Sequence, residues 1–192
     1  MAGKSSRFYK AGYTLPKFML PLNSKTIFEE AVSSFKKYFK TDFFLFITRT
    51  DDGSEDFVSM KCSALNIKHF EIICINHDTK GQADTVSIGL HKMKMMPKVN
   101  EPVYIFNIDS IRTNFTKPTL KFLENVAGYL EVFIGEGDHW SFVEASKKNY
   151  VKRTTEKIKI SDLCSNGLYY FESINLFNDL ISKPHLILFL SL

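Results

Sequence analysis

Three continuous apolar runs of strand length are separated by stretches whose apolar residues recur every three or four positions. The runs are Asp42 to Arg49, built on Phe43-Phe44-Leu45-Phe46-Ile47, Glu71 to Asn76, built on Ile72-Ile73-Cys74-Ile75, and Glu101 to Asp109, built on Val103-Tyr104-Ile105-Phe106. A strand that is apolar on every residue has no face for water, which suits a parallel strand covered on both sides. Before the first run, Ile27, Phe28, Ala31, Val32, Phe35, Tyr38 and Phe39 follow helical spacing behind Thr26-x-x-Glu29, a capping-box pattern, with Lys36 and Lys37 outward. Thr50 to Ser54 reads as a loop, a short helix is expected from Glu55 to Leu65, and another carries Val86, Leu90 and Met93. Strand and helix alternating at this interval predict an α/β chain: a mostly parallel, Rossmann-like sheet flanked by helices.

The remainder reads as a helix from Pro118 with Leu120, Phe122 and Leu123 inward, a strand over Gly128 to Gly135, a turn at Glu136-Gly137-Asp138, a strand at Trp140 to Val143, a strand at Gly167-Leu168-Tyr169-Tyr170-Phe171, and a short helix over Ile174 to Ile181. At 192 residues the chain suits one domain, placed at 1–181, with an atypical tail at 182–192. Eighteen phenylalanines beside one tryptophan indicate a bias towards Phe rather than a stacking platform.

Several functions are disfavoured. Twenty-five basic against 21 acidic side chains leave a net charge of +4 with no basic run dense enough for a nucleic-acid groove, so the excess better serves small phosphorylated ligands. Cys62, Cys74 and Cys164 lack C-x-x-C spacing, which argues against a disulfide framework or a zinc site and fits a reducing cytoplasm. The five histidines show no metal-ligand spacing. There is no apolar signal core, and Leu186 to Leu190 is far short of the roughly 20 apolar residues that span a bilayer, so membrane insertion is not expected.

The first twenty-one residues carry the chemistry. Gly3, Ser5 and Ser6 allow backbone N–H groups close to an anion, and Arg7 and Lys17 bring positive charge, a combination suited to polyphosphate. It is neither G-x-x-x-x-G-K-[ST] nor G-x-G-x-x-G, and a polar N-terminal arm would look the same. Asp109 closes the third apolar run, and in open α/β sheets ligands gather at the carboxyl ends of strands. Magnesium takes one or two carboxylates together with phosphate oxygens, so Asp109 is the best metal and catalytic candidate; a turn or cap aspartate is the alternative. Asn107 alternates with it along the same run. Gly81-Gln82-Ala83 stands before a helix, where unblocked N–H groups face outward, or is simply a strand-to-helix turn.

Taken in order, Ala2-Gly3-Lys4-Ser5-Ser6-Arg7-Phe8, Leu15-Pro16-Lys17, Gly81-Gln82-Ala83, Phe106-Asn107-Ile108-Asp109-Ser110, Thr155-Glu156-Lys157 and Gly167-Leu168-Tyr169-Tyr170-Phe171 resemble the bacterial sugar-nucleotidyltransferases, the nucleotide-diphospho-sugar pyrophosphorylases, of the capsule-biosynthesis type. The resemblance spans about residues 1 to 181. It implies a magnesium-dependent cytoplasmic enzyme that joins a nucleoside triphosphate, CTP or UTP, to a phosphorylated sugar or small polyol and releases pyrophosphate, for surface-polysaccharide precursors. By resemblance Arg7 and Lys17 hold the triphosphate with Ala2, Gly3, Ser5 and Ser6; Gly81, Gln82 and Ala83 read the base and ribose; Asp109 holds Mg2+; and Glu156, Lys157 and Gly167 hold the acceptor, Glu156 through its hydroxyls and Lys157 through its phosphate. Taken alone, Glu156-Lys157 is an ordinary surface pair.

Two departures stand out. Ser5 takes the place of the family's second glycine, and the resemblance implies that the first strand and the closing helices with a second metal aspartate are missing, Asp179 being a poor substitute. A catalytically inactive remnant is therefore the main alternative. A glycosyltransferase of the same fold is another, disfavoured because Ser110 and Ile111 follow Asp109 where an Asp-x-Asp pair is wanted. A homo-oligomer is compatible with all of this.

Overall fold

The computed structural model describes residues 1–3, 6–50, 53–95 and 100–183. In chain order its elements are α1 (Ser6–Lys10), a 3-10 turn (Lys17–Met19), β1 (Pro21–Leu22), β2 (Lys25–Thr26), α2 (Ile27–Ser33), a second 3-10 turn (Lys36–Tyr38), β3 (Phe43–Arg49), α3 (Ser54–Ala64), β4 (His69–Ile75), α4 (Gln82–Lys92), β5 (Val103–Phe106), α5 (Leu120–Leu123), β6 (Gly128–Ile134), β7 (Ser141–Ala145), β8 (Val151–Glu156), β9 (Leu163–Phe171) and α6 (Ile174–Ile181). The protein is α/β, as the alternating apolar runs predict. It divides into two compact units: residues 1–78, 88–95 and 107–118 form one, and residues 79–87, 96–106 and 119–192 the other.

The first unit is built on β3 and β4, which pair in parallel from Phe43 opposite His69 to Arg49 opposite Ile75 without a slip. Their apolar residues are covered on both faces. Phe46 joins Phe18, Met19, Phe28, Val32, Phe39, Val58, Cys62 and Ile67 in one core cluster, while Ile47, Ile73 and Ile75 form another. Gly89 of α4 permits the closest approach on the second face, where a Cβ would stand 2.3 Å from Ile47 Cδ1. Met1 packs on the first cluster and Ala2 on the second, so consecutive residues address opposite faces, as they do in a strand.

Helix α2 begins at the expected capping box. The Thr26 hydroxyl accepts from Glu29 N–H at 3.3 Å, and Glu29 Oε2 accepts in return from Thr26 N–H at 2.9 Å. The helical spacing continues to Phe39, but the α-helix ends at Ser33 and resumes as a 3-10 turn. That change of pitch frees Ser34, whose buried hydroxyl then serves a distant partner.

The second unit is a sheet in which, among the described residues, every pairing is antiparallel: β5, β6 and β7 all pair with β9, and β8 pairs with β7. The β7–β8 connection, closed by Ser146 N–H to the Tyr150 carbonyl at 2.8 Å with Asn149 left-handed, is a short hairpin and can only return its strand antiparallel. Strand β8 has no counterpart in the sequence reading. It is an edge strand of largely exposed, polar residues, Val-Lys-Arg-Thr-Thr-Glu, so the alternation that would reveal it is absent. Strand β9 starts at Leu163, earlier than the Gly167 expected, because an Asn-Gly bulge interrupts its pattern.

Two further expectations are corrected. The helix expected from Pro118 is the four-residue α5, and Leu120 is 77% exposed rather than inward; so short a helix has no buried stripe, and Phe122 rests edge-on against Tyr129 at 5.9 Å. The third apolar run ends as a strand at Phe106, so Asp109 and Asn107 are not on it; Ser110 N–H to the Asn107 carbonyl at 3.2 Å closes a turn instead. Among the described residues no helix is long and apolar enough to cross a membrane.

Candidate active site

In the first unit the structure brings together Lys17 and Asp109, 92 residues apart in sequence. The Lys17 ammonium donates to Asp109 Oδ2, with the two side chains 31% and 44% exposed. Core anchoring of their neighbours produces the meeting. Lys17 is followed by Phe18 and Met19, both buried in the larger cluster, and Asp109 is preceded by Ile108, which packs on that same cluster. With both flanks held by one core, the two polar side chains emerge side by side.

Downstream of Asp109 the chain is fastened to α2 and the turn after it. Arg112 N–H donates to Ser34 Oγ at 2.9 Å, Phe115 is 1% exposed with its ring 5.0 Å from that of Phe35, and Lys117 N–H donates to the Tyr38 hydroxyl at 2.7 Å. Sequence reading missed Ser34 and Ile108 as supports. Nothing in a lone serine at a helix end signals a partner 78 residues away.

At the carboxyl end of the β3–β4 ladder, Arg49 Nη1 stands 3.3 Å from Asp78 Oδ1. Of the N-terminal loop, Ala2 packs on the Ile47 cluster and Gly3 is exposed with open space where a Cβ would be. Ser6 and Arg7 open α1; their side chains, like all of Ser5, lie outside the described residues.

In the second unit Gly81 precedes α4 with φ 155°, and its carbonyl accepts from Thr85 N–H at 3.1 Å and Thr85 Oγ1 at 2.9 Å. Asp84 turns back to accept from Lys80 N–H at 2.9 Å. Gln82 and Ala83 form the first turn of the helix, beside N–H groups that have no acceptor within the helix.

Glu156 ends β8. Its Oε2 accepts from Ser141 Oγ at 2.7 Å and its Oε1 faces Lys157 Nζ at 3.0 Å. Lys157 is left-handed, φ 56°, and its N–H donates to the Trp140 carbonyl at 2.9 Å, with both side chains of the pair largely exposed.

Gly167, φ 84°, is the centre of a bulge in β9 where the pairing jumps from Tyr169 opposite Leu130 to Ser165 opposite Val132. The bulge aims polar groups at one another. Gly167 N–H donates to Ser165 Oγ at 3.2 Å, Ser165 Oγ lies 2.9 Å from Tyr169 Oη, and Asn166 Nδ2 donates to Glu131 Oε2 at 2.7 Å. Burial pushes the Tyr169 phenol up to about 12; the Ser165 bond opposes this, and the negative charge of Glu156 adds to it. Glu131 and Asn166 were missed in the sequence, although an Asn-Gly pair inside an apolar strand is itself a bulge signal.

No protein-family model matches the chain, and no curated protein does. Solved structures do match. The inositol-1-phosphate CTP transferase from T. maritima is 12% identical with a TM-score of 0.72, over 97% of this chain and 77% of that one. A UDP-glucose pyrophosphorylase complexed with UDP-glucose is 17% identical with a TM-score of 0.63, over 95% of this chain and 76% of that one. At such identities the likeness establishes the fold, which is that of the nucleotidyltransferases.

The nucleoside-diphosphate-sugar pyrophosphorylase from Vibrio cholerae RC9 is 42% identical with a TM-score of 0.88, over 96% of this chain and 78% of that chain. The chain belongs to the nucleoside-diphosphate-sugar pyrophosphorylase family of nucleotidyltransferases.

Proposed function

We propose that the protein transfers a nucleotidyl group from a nucleoside triphosphate, CTP or UTP, to a phosphorylated sugar or small polyol. An acceptor phosphate oxygen bonds to the α-phosphorus, the bond from that phosphorus to the bridging oxygen breaks, and pyrophosphate leaves with the electron pair. No covalent enzyme intermediate is needed, so the protein contributes positioning and charge neutralisation. The meeting of Lys17 and Asp109 is the observation that carries this reading: a cation for phosphate and an anion for a metal are delivered to one spot by one core.

Lys17, with Arg7, binds the triphosphate and neutralises charge on the leaving pyrophosphate; Ala2, Gly3, Ser5 and Ser6 lend donors. Gly81, Gln82 and Ala83 contact the base and ribose. Glu156 accepts from acceptor hydroxyls, Lys157 pairs with the acceptor phosphate, and Gly167 shapes the strand beside them. The donor set fits Mg2+: Asp109 supplies one partly exposed carboxylate, and magnesium commonly completes its shell with water and substrate phosphates. Bound there, it would neutralise phosphate charge. The acceptor class we favour is a precursor of surface polysaccharide.

The test is pyrophosphate release with and without magnesium, across the four nucleoside triphosphates and a panel of phosphorylated sugars and polyols. Magnesium-dependent turnover with one pair is expected, lost by at least a hundredfold in Lys17→Ala and Asp109→Ala while both remain folded by circular dichroism. Wild-type-like turnover in either variant would defeat the assignment. Consumption of a finished nucleotide-sugar instead would indicate a glycosyltransferase, and no turnover with any pair an inactive relative.

A further inference from the structure

In the proposed reaction Asp109 holds a divalent ion, yet in the folded chain its Oδ2 already accepts from the Lys17 ammonium. Ammonium and metal therefore compete for one carboxylate. An ion arriving alone at Asp109 meets a carboxylate already paired with an ammonium. A triphosphate changes both sides of that competition. It offers Lys17 another anion, and it brings the oxygens that a hard cation needs.

The exchange requires no backbone movement. Phe18, Met19 and Ile108 keep both flanks in the core, and Ser34 fastens the chain after Asp109, while lysine carries its charge on a flexible four-carbon stem and Asp109 is 44% exposed. We propose that Lys17 is a placeholder for the metal: the pair is closed in the nucleotide-free protein and opens only when the triphosphate takes Lys17, so that cation and nucleotide bind with positive coupling. The inference rests on the reading of Asp109 as the metal ligand. Its consequence is that the free protein binds a divalent cation poorly, and that removing the ammonium improves this.

The experiment titrates Mn2+ alone into the purified full chain and follows the electron paramagnetic resonance signal of the free ion. Lys17→Met keeps most of the apolar stem without the charge, and Lys17→Gln serves if that variant does not fold. The variant should bind Mn2+ at least roughly tenfold tighter than wild type, about 1.4 kcal/mol. Even water-screened repulsion between a divalent ion and an ammonium at about 4 Å is of that order. Lys17→Arg, which keeps the charge, should bind as weakly as wild type. Asp109→Asn should abolish the gain in the Lys17→Met background.

If Lys17→Met binds no tighter while Asp109→Asn still weakens binding, the placeholder is overturned and the metal assignment stands. If Asp109→Asn changes nothing in either background, the metal assignment falls and takes the placeholder with it.

Discussion

Glu29 shows how much one side chain can gather. Its Oε2 accepts from Thr26 N–H at 2.9 Å, from the Thr26 hydroxyl at 2.8 Å and from the Lys61 ammonium at 2.9 Å. Burial alone would raise its carboxyl, but the Lys61 and Thr26 bonds together win and hold it below its ordinary 4.5. A carboxylate whose folded value is depressed stabilises the fold above its unfolded value and loses that contribution as pH falls through the folded one. Glu29→Gln should therefore lower the melting temperature at pH 7, and the gap from wild type should close as the pH drops below about 4.5. Thermal unfolding across pH 3 to 7 checks this; a gap independent of pH would mean that the bonds, not the charge, matter. The Thr26-x-x-Glu29 spacing announced the cap, but Lys61, on another helix, was not readable because contacts between helices leave no local pattern. Cys62 and Cys164 are buried, which their spacing in the sequence did not announce, and burial pushes the Cys62 thiol up to about 12.

Elements differ in how plainly the sequence declared them. Strands β3 and β4 and helices α3 and α6 stand within two residues of their expected limits, because a strand covered on both faces or a helix with one apolar stripe writes its burial into local periodicity. Strand β8, exposed at an edge, writes none, and β9 hides its length behind the bulge at Gly167. Close strand approach is likewise invisible until residues are paired. At Gly128, the start of β6, a Cβ would stand 2.8 Å from the Tyr170 carbonyl oxygen, which belongs to backbone and cannot rotate away. Gly128→Ala should thus cost about 1–3 kcal/mol, measured by urea unfolding, through local separation of β6 from β9. An unchanged midpoint would show that the strand end yields freely.

Over the whole molecule, both units are discontinuous in sequence, and the chain enters the first unit three times. Its third entry, residues 107–118, carries Asp109 and is fastened by Phe115, whose ring lies between those of Phe35 at 5.0 Å and Tyr38 at 6.0 Å. Phe115→Ala should cost about 3–5 kcal/mol, the usual range for losing a buried ring and a large part of a domain's net stability. Phe115→Leu should recover most of it. Chemical denaturation of the three proteins measures this, and a loss below about 1 kcal/mol would show that the segment is held without the ring.

The sequence by itself determined the α/β class, the apolar strands and the helix start at Thr26, since each rests on spacing or residue type within a few positions; Lys17 and Asp109 it offered only as candidates, in part through resemblance. Only the tertiary structure decided that those two meet, that Asp109 stands in a turn beyond its strand, and that Ser34 and Phe115 hold that turn in place. The physical reason is that burial periodicity is local, whereas an ion pair between residues 92 apart depends on how one core packs the flanks of both.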